Sequence, residues 1–369
     1  MDPKITNISE EAGIYKFTLS GLNVSLANTL RRIILTEIPV VAIKTDTYEQ
    51  NQCNIEVNTT RLHNEIIKQR LSCVPICMGL DELDLLPGKY VLVIDKENKT
   101  DSLEYVTTED FRIKNKMNGN YLTSDEIKRI FPPCLKTNSY IDFARLRPRI
   151  GESVSGEHLK LTADFSISNA REDAKFNVVS NCTYGFTPDM VKVNEKWTAR
   201  EKQLKSQEVS SNDIAFQKTN FYILDAQREY VKDSCDFTIE TIGIFENREI
   251  IKTGANVLVD KFNDFMKDID AGTVVINTSE TTMDNCFDII LENEDYTMGK
   301  SLEYIMYSKH YEGDKSLDFC GFKKFHPHDL NSTLRIGFAN KADKSMVKQH
   351  LRGVCEDAQL LFAKISKLF

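Results

Sequence analysis

Asn23-Val24-Ser25-Leu26-Ala27-Asn28-Thr29-Leu30-Arg31-Arg32-Ile33-Ile34-Leu35-Thr36-Glu37-Ile38-Pro39 is the stretch on which the fold turns. Leu26, Leu30, Ile33 and Ile34 fall at i, i+4, i+7 and i+8, one apolar face of a helix. Ser25 is a residue type that caps helix N-termini, and Pro39 stops the helix. Upstream, Ile14-Tyr15-Lys16-Phe17-Thr18-Leu19 alternates apolar and polar, the period of a half-buried strand, and Gly21 punctuates it. Downstream, Val40-Val41-Ala42-Ile43 resumes as a strand. The first segment therefore reads strand, helix, strand.

Length and composition bound the rest. The chain has 369 residues, which at about 150 residues per domain implies two to three domains. Hydrophobic residues are 41% and charged residues 28%, an ordinary globular balance. Lys plus Arg is 47 against 55 for Asp plus Glu, so the net charge is -8. That argues against a protein whose whole surface grips phosphate, though not against one local basic patch. Met1-Asp2-Pro3-Lys4-Ile5-Thr6 is not followed by the apolar core of a secretory signal, and no apolar run reaches the length of a membrane span. The nine Cys are scattered, as in a reducing compartment, so sequons such as Asn58-Thr59-Thr60 are read as chance.

Residues 46 to about 215 read as a separate, strand-rich unit. Turn signals recur at Pro87-Gly88, Pro132-Pro133 and Pro148, with strands such as Tyr90–Ile94 and Leu159–Phe165 between them. The charged run 192–212, with Lys192, Lys196, Arg200, Lys202 and Lys205, reads as a long loop with some helix. Phe237–Ile242 alternates as a strand. A helix over 254–269 follows, with Ala255, Leu258, Phe262, Phe265 and Ile269 spaced 3, 4, 3, 4. A polar linker leads to a final unit that repeats the opening pattern: strand Phe287–Leu291, then a helix capped by Thr297 with Leu302, Ile305 and Met306 on one face. Strands Phe319–Phe322 and Leu334–Phe338 flank the turn at His326-Pro327-His328-Asp329. In the last helix Val347, Leu351, Val354, Ala358, Leu361, Ile365 and Leu368 form a heptad seam. Each heptad helix either covers its own sheet or packs on a helix. The narrow stripe favours the helix–helix seam.

No catalytic constellation assembles. Gly299-Lys300-Ser301 resembles the tail of a phosphate loop, but Glu294 stands where the first glycine is needed, with Asp295 beside it. Cys73 and Cys77 are one thiol pair without a second pair to complete a zinc site, and they read as small buried hydrophobes. The acidic stretches 81–84 and 292–295 read as solvated, and His63 near Glu65 reads as a helix-start residue.

The stretch 23–39 closely resembles the signature helix of RNA polymerase alpha-type subunits: bacterial alpha, its archaeal counterpart and the third-largest subunit of the eukaryotic enzyme. Asn58-Thr59-Thr60-Arg61-Leu62-His63-Asn64-Glu65-Ile66-Ile67-Lys68-Gln69-Arg70-Leu71-Ser72-Cys73-Val74-Pro75-Ile76 resembles the next motif of that family in order and spacing. Val106–Asp110, Ala174–Phe176, Tyr184–Pro188 and Phe237–Gly243 look like later landmarks. In the final unit, Glu294–Leu302 and Gly321–His328 resemble the helix start and turn of the small alpha-like partner, which is the eleventh subunit of the eukaryotic enzyme and has an archaeal equivalent. Tyr296 and Lys300 depart from the usual His and Asn there. One chain carrying both halves is similar to polymerase subunits encoded by large cytoplasmic DNA viruses.

The resemblance implies an α+β fold. An alpha-like dimerisation domain at 1–45 and 216–269 is interrupted by an insert domain at 46–215. A linker at 270–283 leads to a second, small alpha-like dimerisation module at 284–369, and the two form an intramolecular pseudo-dimer. It implies a non-catalytic assembly scaffold that docks the two largest polymerase subunits. Small polymerase subunits sit alongside, nucleic acid is met only through the complex, and neither a membrane nor a separate small alpha-like partner is involved. Asn28, Arg31, Arg32, Glu65 and Arg70 are then the large-subunit interface. A guanidinium pair suits carboxylate forks. Leu26, Leu30, Leu258, Phe262, Phe265, Leu351, Val354, Leu361 and Ile365 are the pseudo-dimer seam. Some relatives carry a Cys-rich metal cluster in the inserted domain. This chain has only Cys73 and Cys77 near that point, so no metal or cofactor is expected. The implied location is within the polymerase complex: cytoplasmic (viral factory or virion) for a viral chain, otherwise nuclear. Two competing readings are an enzyme built on Cys73/Cys77 or His326/His328, and a DNA-binding regulator built on the 192–205 segment.

Overall fold

A polar strand that alternation does not betray comes first. β1 (Lys4–Glu11) is exposed along almost its whole length and is held by antiparallel pairing to β2 (Ile14–Ser20), which buries Tyr15, Phe17 and Leu19. The computed structural model describes residues 1–151, 154–279 and 284–369. The chain continues through α1 (Val24–Thr36), β3 (Val40–Ala42), β4 (Cys53–Asn58), α2 (Asn64–Ser72), β5 (Tyr90–Glu97), β6 (Glu104–Thr107) and β7 (Arg112–Asn115). There follow α3 (Ser124–Ile130), β8 (Asp142–Leu146), β9 (His158–Asp164), β10 (Ser166–Ser168) and β11 (Val179–Pro188). Then come α4 (Met190–Ser206), α5 (Ser211–Ile223), β12 (Tyr230–Thr241) and α6 (Asn247–Ala271). The last elements are β13 (Ile276–Thr278), β14 (Cys286–Leu291), α7 (Tyr296–Met306), β15 (Leu317–Lys323), β16 (Ser332–Phe338) and α8 (Lys344–Ser366).

Two compact units result. The first comprises Met1–Ile34, Asn181–Glu240 and Asn247–Phe369; the second comprises Leu35–Ser180 and Thr241–Glu246. The second unit thus shares 46–180 with the expected insert, whereas 181–215 folds in the first. Of the expected linker 270–283, the start is the end of α6 and 276–278 is β13, while 280–283 lies outside the described residues, as do 152 and 153 of the expected insert.

The first unit contains the same substructure twice. One sheet runs β1-β2-β12-β11 and the other β13-β14-β16-β15, so each strand of the first has a counterpart at the same place in the second. In each, a helix follows the second strand (α1, α7) and another follows the strand paired with it (α6, α8). The correspondence extends to residues. Gly21 and Asn293 both take left-handed φ, +75° and +55°, between strand and helix. A side chain on Gly21 would also meet the Asp2 carbonyl at 2.2 Å. Asn23 and Asp295 then cap the two helices, accepting from the amides of Ser25 (2.9 Å) and Thr297 (2.8 Å). Ser25 and Thr297, the caps anticipated from sequence, are the residues being capped. Asn and Asp are preferred N-cap residues, and at 23 and 295 they stand just before the first helical residues, Val24 and Tyr296.

The charged run after Asp189 is not a loop. Asp189 caps α4, and Val193, Trp197 and Leu204 bury against Phe221 and Ala226 in a small core with α5. α6 is longer than 254–269, and α8 stops at Ser366. Leu368 is 43% exposed, whereas Phe369 turns back onto Tyr15 and Phe17 with ring centroids at 6.5 and 5.0 Å. The buried face of α8 also takes in Cys355 and Phe362, so it is wider than a two-position seam.

The second unit has a four-stranded antiparallel sheet, β4-β9-β5-β7, with the ribbons β6-β8 and β3-β10. Its core is centred on Phe111, whose ring meets Phe131 and Phe143 edge-on at 5.2 and 5.5 Å, with Leu92, Ile94 and Leu161 beside them. Among the described residues no helix is long and apolar enough to cross a membrane.

Candidate protein–protein interfaces

Thr29 sits on the apolar face of α1, fully buried, between Leu26 and Leu30. Its hydroxyl meets the Ser301 hydroxyl of α7 at 2.8 Å and donates to the Thr297 carbonyl at 2.9 Å. Thr29 and Ser301 hold the same position in their respective helices, sixth from Asn23 and Asp295 alike when each cap is counted as zero. Like therefore touches like. Buried hydroxyls left without partners would cost about 1–3 kcal/mol each; here each satisfies the other.

Around this contact the pairing is charged. Arg32 donates from Nε to Thr297 Oγ1 at 2.8 Å and from Nη2 to Asp295 Oδ2 at 2.5 Å. Lys261 of α6 pairs with Glu294 at 3.0 Å, with the two side chains 17% and 19% exposed. At the position of Arg32, α7 carries Tyr304, whose hydroxyl is pushed up by burial and then by the nearby Asp233 charge. Asp233 in turn accepts from Asn23 at 3.3 Å.

α6 and α8 lie antiparallel. Ser366 donates to Asn256 Oδ1, Gln359 to the Val259 carbonyl, and Arg352 pairs with Asp270. At the crossing the Phe262 and Phe362 rings stack, centroids 6.1 Å apart and planes within 8°. Leu258, Leu351, Val354, Leu361 and Ile365 are buried on these two helices, and Leu26 and Leu30 on α1. Phe265 is only half-buried. Of the residues assigned from sequence to a large-subunit surface, Asn28, Arg31 and Arg32 lie on α1 and Glu65 and Arg70 on α2. Arg32 is engaged by Asp295. Arg31 folds back along its own helix, donating from Nε to Asn28 Oδ1 at 2.9 Å. The Cys182 thiol, pushed up to about 12 by burial, feels the Arg31 charge in the opposite sense. Glu65 is exposed in the first turn of α2. Arg70 donates to the Phe143 and Asp142 carbonyls at 2.8 and 2.6 Å, covering the backbone of β8.

The alternative chemistries find other uses. Gly299 is inside α7, and a Cβ there would lie 1.9 Å from the Phe322 ring, so its glycine serves close packing. Cys73 is exposed and Cys77 partly so, correcting their reading as buried hydrophobes. Burial raises the Cys77 thiol above its usual range. His326 and His328 organise their own turn, the His328 amide donating to His326 Nδ1. On α4, Lys192, Lys196, Arg200 and Lys205 pair with Asp189, Glu229, Asp225 and Glu201. Thr29, Ser301, Lys261, Glu294 and Asp295 were not legible as interface residues. The available signal was the correspondence of 15–34 with 287–306, which places a small hydroxyl on the apolar face of both helices.

A four-stranded sheet followed by helices with a buried apolar face, as in β1-β2-β12-β11 with α1 and α6, is the architecture of a dimerisation module. The chain belongs to the RNA polymerase Rpb3/Rpb11 dimerisation domain family, whose model matches residues 16–262. It is 25% identical over 273 residues to DNA-directed RNA polymerase subunit Rpo3 of Pyrococcus furiosus, covering 69% of this chain and 92% of that one. It is 24% identical to the Dictyostelium discoideum subunit rpac1 of DNA-directed RNA polymerases I and III, over 70% of this chain and 80% of that one. It is 28% identical to Arabidopsis thaliana subunit 3 of polymerases II, IV and V, over 52% of this chain and 59% of that one. The family match ends within α6, before the second substructure begins.

Proposed function

We propose that this chain is the assembly scaffold of a multisubunit DNA-directed RNA polymerase, with its two halves forming an intramolecular pseudo-dimer. The observation that carries this reading is the second copy of the substructure, packed on the first through equivalent helices, beside the family match of the first. The role is structural. The pseudo-dimer docks the two largest subunits, small subunits join alongside, and no separate small alpha-like chain is needed. Arg31 with Asn28 on α1, and Glu65 and Arg70 on α2, are the proposed docking residues. Arg32 contributes chiefly by holding the two halves together. The net charge of -8 supports contact with nucleic acid only through the rest of the complex. The chain resides wherever that complex does, in the nucleus or in a cytoplasmic viral factory or virion.

A tagged pull-down from the source cells or virions, read by mass spectrometry, tests this. Two very large subunits should be recovered in equal proportion to the chain, without a separate small alpha-like chain. Recovery of the chain alone, or with an unrelated metabolic partner, would overturn the reading.

A further inference from the structure

The contact between the two halves is not symmetric in charge. Overlaying Phe262 on Phe362 and Thr29 on Ser301 pairs each interface residue with its counterpart. Lys261 corresponds to Leu361, Glu294 to Leu22, Arg32 to Tyr304 and Asp295 to Asn23. The Lys261–Glu294 and Arg32–Asp295 pairs both place the cation on the N-terminal half and the carboxylate on the C-terminal half. Their counterparts are uncharged residues, and Leu22 and Leu361 are both buried hydrophobes. Arg352–Asp270 has the opposite polarity, but both side chains are about half exposed, where an ion pair contributes little.

We propose that these charges select heterotypic pairing, so that each half closes on the other kind and not on its own. This rests on the pseudo-dimer reading above. Two N-terminal halves would set Lys261 against Leu22, and two C-terminal halves would set Glu294 against Leu361. Each sets a charge against an apolar side chain in place of the opposite charge it meets here, which is the expensive way to break a largely buried pair. Selection by penalising the wrong partner is as effective as rewarding the right one. Arg32 discriminates less. In a pair of N-terminal halves it would meet Asn23, whose neighbour Asp233 offers a substitute carboxylate. The weight therefore falls on Lys261–Glu294.

The test uses full-length chains refolded from denaturant and read by native mass spectrometry and melting. Lys261→Glu gives a chain with a carboxylate on both sides of the contact; Glu294→Lys gives one with an ammonium on both. Each alone melts on the order of 10 °C below wild type, or does not refold. Refolded together at equal concentration, they form a one-to-one dimer in which each half of one chain pairs with the opposite half of the other. The K261E/E294K chain is monomeric and melts near wild type. Rescue of a non-folding single variant by its complement or by the second substitution supports selection; failure of both overturns it. If all variants melt and weigh as wild type while Phe262 and Phe362 remain energetically coupled, selection is wrong and the pseudo-dimer stands. If that coupling is absent in wild type, the pseudo-dimer reading itself fails.

Discussion

At the scale of single residues, two positions carry constraints that composition hides. Gly299 lies in α7 under the Phe322 ring, which also rests edge-on against Tyr296 at 5.3 Å. Alanine would gain about 1 kcal/mol of helix propensity over glycine. It would also drive a methyl into the ring, an overpacking that costs about 1–3 kcal/mol. Gly299→Ala should therefore lower Tm in the wild-type background and raise it in a Phe322→Ala background. The same sign in both, by calorimetry, would mean the ring does not set the constraint. His310 is the second. It lies in a π-helical turn after α7, its Nδ1 2.8 Å from Asp314 and its ring centroid 4.3 Å from that of His350. Burial lowers its pKa, outweighing the pull of Asp314 in the other direction, with the His350 charge adding to the fall. The folded state thus disfavours the charged imidazole, and the unfolded state binds its proton first. Stability contributed here is present above the ordinary histidine range and lost as pH falls through it. Linkage of the same sign acts at Asp314, at lower pH. Its burial would raise it, but hydrogen bonds from Ser316 and His310 bring it to about 2, so its contribution is lost only below the ordinary carboxylate range. Tm measured from about pH 7.5 to about pH 5, spanning the ordinary histidine range, should fall in wild type more steeply than in His310→Asn. Parallel curves would remove His310 as the titrating group.

At the scale of elements, long apolar periodicities were legible and polar elements were not. β2, α1, α6 and α8 follow from spacings such as Leu26, Leu30, Ile33 and Ile34, because a face repeated over several turns leaves few alternatives. β1 has no buried face of its own, so its strand state comes from pairing with β2 and has no local signal. α4 has three buried residues, Val193, Trp197 and Leu204, amid a charged run, and its lysines and arginine become visible as helix-surface cations only once their carboxylates are placed. The interface charges were illegible for the same reason. Lys261 and Glu294 are adjacent only after two sheets have formed, and no local pattern marks the pair. Phe362, outside the heptad of α8, makes the ring stack with Phe262. That contact is expected to dominate the helix pair. Phe362→Ala should cost about 3–5 kcal/mol, since it empties a fully buried site. A double-mutant cycle with Phe262→Ala should show coupling of about 0.5–1.5 kcal/mol or more, the range for aromatic pairs beyond area burial. Additive losses in urea denaturation would mean that the two rings stabilise separate cores.

At the scale of the whole chain, the question is what covalent continuity contributes once two substructures share helices, hydroxyls and ion pairs. A tether raises the effective concentration of one half about the other to about millimolar. A contact as extended as α6 on α8, with α1 on α7, should hold without it, because buried area, hydrogen bonds and paired charges all survive a cut. A protease site introduced at 272–275, between α6 and β13 and so between the substructures, makes this measurable. The intact chain assembles first, so neither fragment has to fold alone. After cleavage the fragments should co-elute in size exclusion at physiological salt and separate only in denaturant. The same cut in the Lys261→Glu chain should release them, since the substitution sets one carboxylate against another, that of Glu294, without a tether to oppose the repulsion. High salt should not separate the wild-type fragments, because Lys261 and Glu294 are mostly withdrawn from solvent and screened less than surface charges. Separation of wild-type fragments in buffer alone would show that the linker, and not the helix contact, keeps the halves together. The chain would then be two modules on one string, and assembly with other polymerase subunits would have to supply the pairing that the helices do not.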